Sequence, residues 1–149
     1  MINQFKGKYS FLSNFYLTPI LHDGITYPSN EHFFQAQKTS DLSLMIKISK
    51  CKTPRAAKRE GRKLLLRKGW EGFKAHSMLT GLIIKFSNPE LKSKLLETGE
   101  KKLVEGNTWD DKYWGVCLKT GSGFRQTIKR GSKHNPLLDH DGKKPPQVS

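Results

Sequence analysis

Cysteine is scarce in this 149-residue chain, with only Cys51 and Cys117, far apart in sequence. That rules out a disulfide framework and a zinc knuckle, and both residues read as reduced thiols in the core or at its boundary. Long apolar runs are absent too. Nothing approaches the roughly 18–20 residues of a membrane helix, and residues 1–11 carry no apolar signal core, so the expectation is a cytoplasmic protein with no membrane partner. Histidine is present five times but never in H-x-x-x-H or H-E-x-x-H spacing, which argues against a catalytic metal. No G-x-S-x-G elbow occurs, and Gly121-Ser122-Gly123 lacks the Lys-Ser/Thr that would make it a phosphate loop. Neither a metal nor a cofactor is expected.

Acidic side chains are the remaining shortage: 13 Asp and Glu face 27 Lys and Arg, for a net charge of +14. The excess is uneven. Residues 1–46 and 75–118 are each balanced, whereas 47–74 hold eleven basic residues against two acidic ones and 119–149 hold seven against two. An anionic partner follows, either a polymer bound along a coated surface or a small anion held in a local pocket. The length suits one domain with its own core.

Local signals order the chain. Phe11 to Thr26 reads as short extended pieces joined by a turn at Asp23-Gly24. Ser29 can cap a helix from Asn30 to Thr39. On that helix Glu31, Gln35 and Lys38 share a polar stripe that is expected to look into a cleft, while Phe33 and Phe34 anchor the other faces. Thr53-Pro54 opens a second helix, predicted to reach Lys68 and stop at Gly69. Its Ala57, Gly61 and Leu64 form a narrow small-residue face, and Arg55, Lys58, Arg59, Arg62 and Lys63 cover the rest. Trp70–Phe86 has the periodicity of a core helix, and Asn88-Pro89 starts another that ends at Gly99. Leu103–Glu105 and Trp114–Leu118 are β-prone, and the tail 142–149 is too polar to order itself.

Three ionisable groups have apolar or aromatic neighbours: Glu31 ahead of Phe33-Phe34, Lys58 after Ala56-Ala57, and Asp111 between Trp109 and Trp114. Carboxylates among rings lose solvation, which raises their pKa unless a cation such as Lys58 or Arg62 compensates. The residues alone also allow a plain helix-start acid and a plain loop acid.

Four motifs in order carry a resemblance: Phe11-Leu12-Ser13-Asn14-Phe15-Tyr16; Tyr27-Pro28-Ser29-Asn30-Glu31-His32-Phe33-Phe34-Gln35-Ala36-Gln37-Lys38; Thr53-Pro54 with Ala57-Lys58-Arg59-x-Gly61-Arg62; and Asn107-x-Trp109-x-Asp111-x-x-Trp114-Gly115-Val116. Together they resemble the YbiA-like family, also called the NADAR domain. The resemblance implies a mainly α fold, a single multi-helical domain with a few short β-strands over residues 1–120, followed by an atypical basic segment, 121–149, expected to be partly disordered. There Thr120 to Gly131 stands where the family carries a glycine-rich turn and a final apolar helix, so either this branch replaces the helix or the reading frame shifts near residue 122.

The implied activity is hydrolysis of N-glycosidic bonds. One branch of the family acts on ribosylamino-pyrimidine 5′-phosphate intermediates of riboflavin biosynthesis and releases ribose 5-phosphate, and other members remove ADP-ribose from guanine in nucleic acid. The implied partner is accordingly a small phosphorylated ribosyl substrate or ADP-ribosylated nucleic acid. A catalytically inactive module holding ADP-ribose or NAD is the alternative from another class. By motif, Glu31, Lys58 and Asp111 are the catalytic set, and Asn14, Phe15, Tyr27, Arg62, Trp109 and Trp114 the substrate contacts. Breaking a ribose–nitrogen bond passes through an oxocarbenium-like state, which needs a carboxylate near the anomeric carbon and a proton donor at the departing nitrogen. Glu31 then activates water or stabilises the cation, and Asp111 holds the ribose or protonates the base. Lys58 binds phosphate, tunes Glu31 or attacks as a neutral amine, and Arg62 forks onto phosphate oxygens.

Overall fold

The computed structural model describes residues 1–104 and the backbone of 106–107 and 116–117; Trp109, Asp111, Trp114 and the segment 121–149 lie outside the described residues. Strands β1 (Leu17–His22) and β2 (Ile25–Ser29) form an antiparallel hairpin. Asp23 and Gly24 turn it with φ of 47° and 78°, the paired positive values that a two-residue I′ turn needs to match strand twist. The turn is where the sequence puts it, but the strands are shifted. Gly7–Leu12 is a 3-10 helix that buries Phe11 and Leu12.

Helix α1 (Asn30–Ala36) starts at Ser29, whose hydroxyl accepts from the His32 N–H at 3.2 Å, and it closes three residues short of Thr39 in a tight turn. Helix α2 (Leu42–Ser49) has no counterpart among the sequence expectations. Its cap is Asp41, which accepts from the Ser43 N–H at 2.9 Å. Helix α3 (Pro54–Gly61) is capped by Thr53, which accepts from the Ala56 N–H at 3.0 Å. It stops seven residues before Lys68. Gly61 is a poor helix residue, and the like charges Lys58/Arg62 and Arg59/Lys63 repel at i,i+4. The chain beyond is held from elsewhere: the Arg67 N–H donates to Lys38 O at 2.7 Å, and its guanidinium donates to Thr39 O at 2.8 Å over the Phe73 ring. Helix α4 (Trp70–Lys85) follows Gly69 at φ 76°, and α5 (Pro89–Glu97) begins where Asn88 Oδ1 accepts from the Glu90 and Leu91 N–H groups.

The chain divides into two compact units, of which the described residues are 14–91 in one and 1–13 with 92–104 in the other. In the larger unit Ile20, Tyr27, Phe33, Ala36, Ile48 and Ala57 make the core, and each large apolar member adds roughly 1.5–3 kcal/mol by leaving water. All seven residues of α1 are buried. Of the polar stripe, Glu31 and Gln35 are thus buried while Lys38 is half-buried, and Gln35 packs against α3, where Ala57 and Gly61 present almost no side chain. A Cβ at Gly61 would fall on the Gln35 amide, and one at Gly81 would fall on Asn30 Oδ1 and the Phe33 ring. Two glycines thus let α3 and α4 close on α1. In the smaller unit Ile2 pairs with Leu103 by a parallel bridge, so the extended segment expected at Leu103–Glu105 is partnered at its first residue. Strand β3 (Gly106–Asn107) pairs in parallel with β4 (Val116–Cys117). The fold is mainly α with short strands.

Candidate active site

Glu31 owes its place to backbone chemistry. It lies in the first turn of α1, where the helix dipole favours a carboxylate, and its N–H donates to Asn14 O at 3.0 Å. Asn14 is itself braced: its Oδ1 accepts from Asn30 Nδ2 at 2.8 Å, and both amides approach the Met78 sulfur at 3.6 Å. Glu31 is 7% exposed, and Gln35, one turn on, donates from Nε2 to Glu31 Oε1 at 2.7 Å. The carboxylate is thereby oriented from its own helix.

The cations come from α3 and the end of α1. Lys38 is half-buried, and burial pushes its pKa down; the Glu31 charge opposes that, while Arg62 and Lys58 push further down. Lys38 thus sits in the field of all three, so Glu31, Lys58 and Arg62 are brought into one electrostatic neighbourhood. Lys58 is half-buried and Arg62, just past the end of α3, is exposed. The sequence stripe contains Lys38 and Gln35, yet motif transfer assigned neither to the site. Their i+4 and i+7 spacing from Glu31 was the available signal.

Other residues fall differently. Tyr27 is 1% exposed and packs edge-on against Phe33 at 5.6 Å, and burial together with the nearby Asp23 raises its pKa. The structure places it in the core. Phe15 is 39% exposed. His32, next to Glu31, is fully buried: Ser29 Oγ lies 2.7 Å from Nδ1, and Nε2 lies 2.9 Å from Cys51 O. The carbonyl must accept, so Nε2 carries the hydrogen and the Ser29 hydroxyl donates to Nδ1, which is the neutral tautomer. Burial lowers the His32 pKa in the same sense, against a smaller opposing effect from Cys51 O.

A cavity of about 500 Å³ lined by Asp41, Lys47, Glu60, Lys63 and Leu65 contains none of the candidate residues. Its Glu60 is already paired with Lys63 at 3.1 Å and Lys47 at 3.8 Å, which leaves little charge for a ligand. Among the described residues no group of three His, Cys, Asp or Glu is arranged to hold a metal, and no helix is long and apolar enough to cross a membrane.

The model of the NADAR domain matches residues 2–137. The chain belongs to the NADAR domain family. Among curated NADAR relatives it is 44% identical over 110 residues to N-glycosidase YbiA of Escherichia coli K12, covering 72% of this chain and 68% of that one. It is 34% identical over 110 residues to riboflavin biosynthesis protein VVA0006 of Vibrio vulnificus, covering 72% of this chain and 30% of that longer protein. The solved NMR structure of E. coli YbiA superposes with a TM-score of 0.70 at 39% identity, covering 83% of this NADAR chain and 77% of the other.

Proposed function

We propose that this chain is an N-glycosidase that hydrolyses the ribose–nitrogen bond of ribosylamino-pyrimidine 5′-phosphates in riboflavin biosynthesis and releases ribose 5-phosphate. Family membership and the names of its relatives support the reaction class. The observation that carries the reading is the nearly buried, Gln35-oriented Glu31 carboxylate in the same field as Lys38, Lys58 and Arg62. A carboxylate is what an oxocarbenium-like centre and its attacking water need, and clustered cations are what a phosphate needs.

In the reaction, Glu31 takes a proton from water as the oxygen bonds to the anomeric carbon and the carbon–nitrogen bond breaks. The departing nitrogen receives a proton from Lys38, whose ammonium gives it up more readily because burial, Lys58 and Arg62 all disfavour its charge. Arg62 and Lys58 hold the 5′-phosphate. Asp111 orients the ribose, and Trp109 and Trp114 flank the pyrimidine; these three are assigned from the family motif.

The direct test is incubation with both ribosylamino-pyrimidine 5′-phosphates and mass detection of ribose 5-phosphate. Release by the wild-type chain and its loss in Glu31→Gln is the expected pattern; no release from either compound refutes the reading. A second reading, removal of ADP-ribose from guanine in nucleic acid, is favoured by the exposed Lys52, Arg55, Arg59, Arg62, Lys63 and Lys68. Polymer binding through those residues falls steeply with added salt, whereas turnover of a small phosphate responds weakly.

A further inference from the structure

Gln35 is 3% exposed, donates one amide hydrogen to Glu31 Oε1 at 2.7 Å, and leaves its own Oε1 buried without a hydrogen-bond partner. A buried acceptor without a partner is costly to the folded chain, and Asn30 Oδ1 of the same helix is left in the same state. The amide is also confined. Gly61 of α3 lies so close that an added Cβ would strike Gln35 Oε1 and Cδ, so the amide is blocked on the α3 side.

We propose that Gln35 is a positioning residue for the Glu31 carboxylate and that Gly61 of α3 is the wall that keeps its amide in place. The inference rests on the reading of Glu31 as the water-activating carboxylate, and it adds a residue pair outside the motif-derived site. A donor to the ionised form favours that form, so Gln35 keeps Glu31 a carboxylate to lower pH than the rest of its surroundings would. Those surroundings are named by element. Lys38 lies just past the end of α1, Lys58 is on α3 with Arg62 just past its end, and buried Lys85 follows Met78 by seven residues on the α4 stripe that meets Asn30. Tyr27 of β2 and His22 of β1 both pack on Phe33, and Lys47 of α2 pairs with Glu60.

The test uses Gln35→Met, which keeps the volume and removes the donor. The acid limb of the kcat/KM profile for ribose 5-phosphate release moves up by about one pH unit. The Tm does not fall, because the lost amide had an unpaired oxygen. The Glu31 carboxyl ¹³C signal, assigned by its disappearance in Glu31→Gln, shows the same upward shift and reports even where turnover is too slow to follow. Gly61→Ala produces a shift in the same direction alone and adds none in a Gln35→Ala background, where the group it displaces is gone. A Glu31 midpoint unmoved by Gln35→Met overturns the positioning role while leaving the glycosidase reading intact. Wild-type turnover by Glu31→Gln overturns that reading instead, whatever Gln35 does.

Discussion

Two adjacent residues of α1 divide the helix into sides with opposite logic. His32 is fully buried with both ring nitrogens engaged, tying α1 to its own cap at Ser29 and to the Cys51 carbonyl. Glu31 is nearly as buried, but the amide that donates to it keeps an unpaired oxygen, and it shares the field of Lys38 with Lys58 and Arg62. The fully paired histidine holds the helix in place, and the carboxylate beside it is the one proposed for chemistry. Polar groups that cost stability are retained where a substrate will complete them.

The sharpest way to break this contrast is Glu31→Gln. Loss of a group acting in proton transfer lowers turnover by about 10²–10⁴, while the melting temperature falls only modestly, since the amide keeps the shape of the side chain and the half-buried Lys38 loses one opposite charge. Turnover on the pyrimidine substrate and a thermal melt decide it together. His32→Ala should show the reverse: a stability loss of about 3 kcal/mol from the orphaned Ser29 and Cys51 groups and the cavity left behind, read by urea unfolding, with kcat of the folded fraction little changed. Large loss of both quantities in either variant merges the two sides and removes the distinction.

Arg62→Ala tests the Glu31 side at smaller scale. An exposed guanidinium contributes little to folding. If it grips the 5′-phosphate, its loss raises KM about tenfold with kcat nearly unchanged. An unchanged KM assigns the phosphate to Lys58.

The same division explains what could be read from the sequence. Features decided within a few residues were legible: the caps at Ser29, Thr53 and Asn88, the Asp23-Gly24 turn, and the small-residue face of Ala57 and Gly61. The Asp41-capped helix α2 escaped notice because its buried stripe is short, with Ile48 its one fully buried residue. The end of α3 was misplaced because Gly61 and the like-charge pairs stop it early, and the chain beyond is held from a distance, by Arg67 reaching Lys38 and Thr39. Motif matching put forward Glu31, Lys58 and Arg62, which share the field of Lys38. Gln35 and Lys38 share the face of Glu31 in the sequence, but only the approach of α3 through Gly61 brings the Lys58 and Arg62 charges to bear on it.

The smallest expected effect is the pH dependence written into the His32 side. The folded chain holds His32 neutral with its pKa lowered, chiefly by burial, whereas the unfolded chain takes up a proton near the ordinary value of about 6.5. Below that pH the unfolded state binds more protons, so stability is complete above pH 6.5 or so. It is lost progressively as pH falls through the lower folded pKa, at no more than the one-proton slope of about 1.4 kcal/mol per pH unit. Carboxylates contribute further down: hydrogen bonds from Ser43 and Leu44 hold Asp41 below the usual range, and Lys63 does the same for Glu60, so both keep their partners until the solution is more acidic. Urea midpoints between pH 7.5 and 5.5 should therefore fall in the wild-type chain and stay nearly level in His32→Gln, whose amide offers the same span without a titrating proton. An equal slope in both chains would show that the proton is taken up elsewhere and that His32 is not the feature that makes this face acid-sensitive.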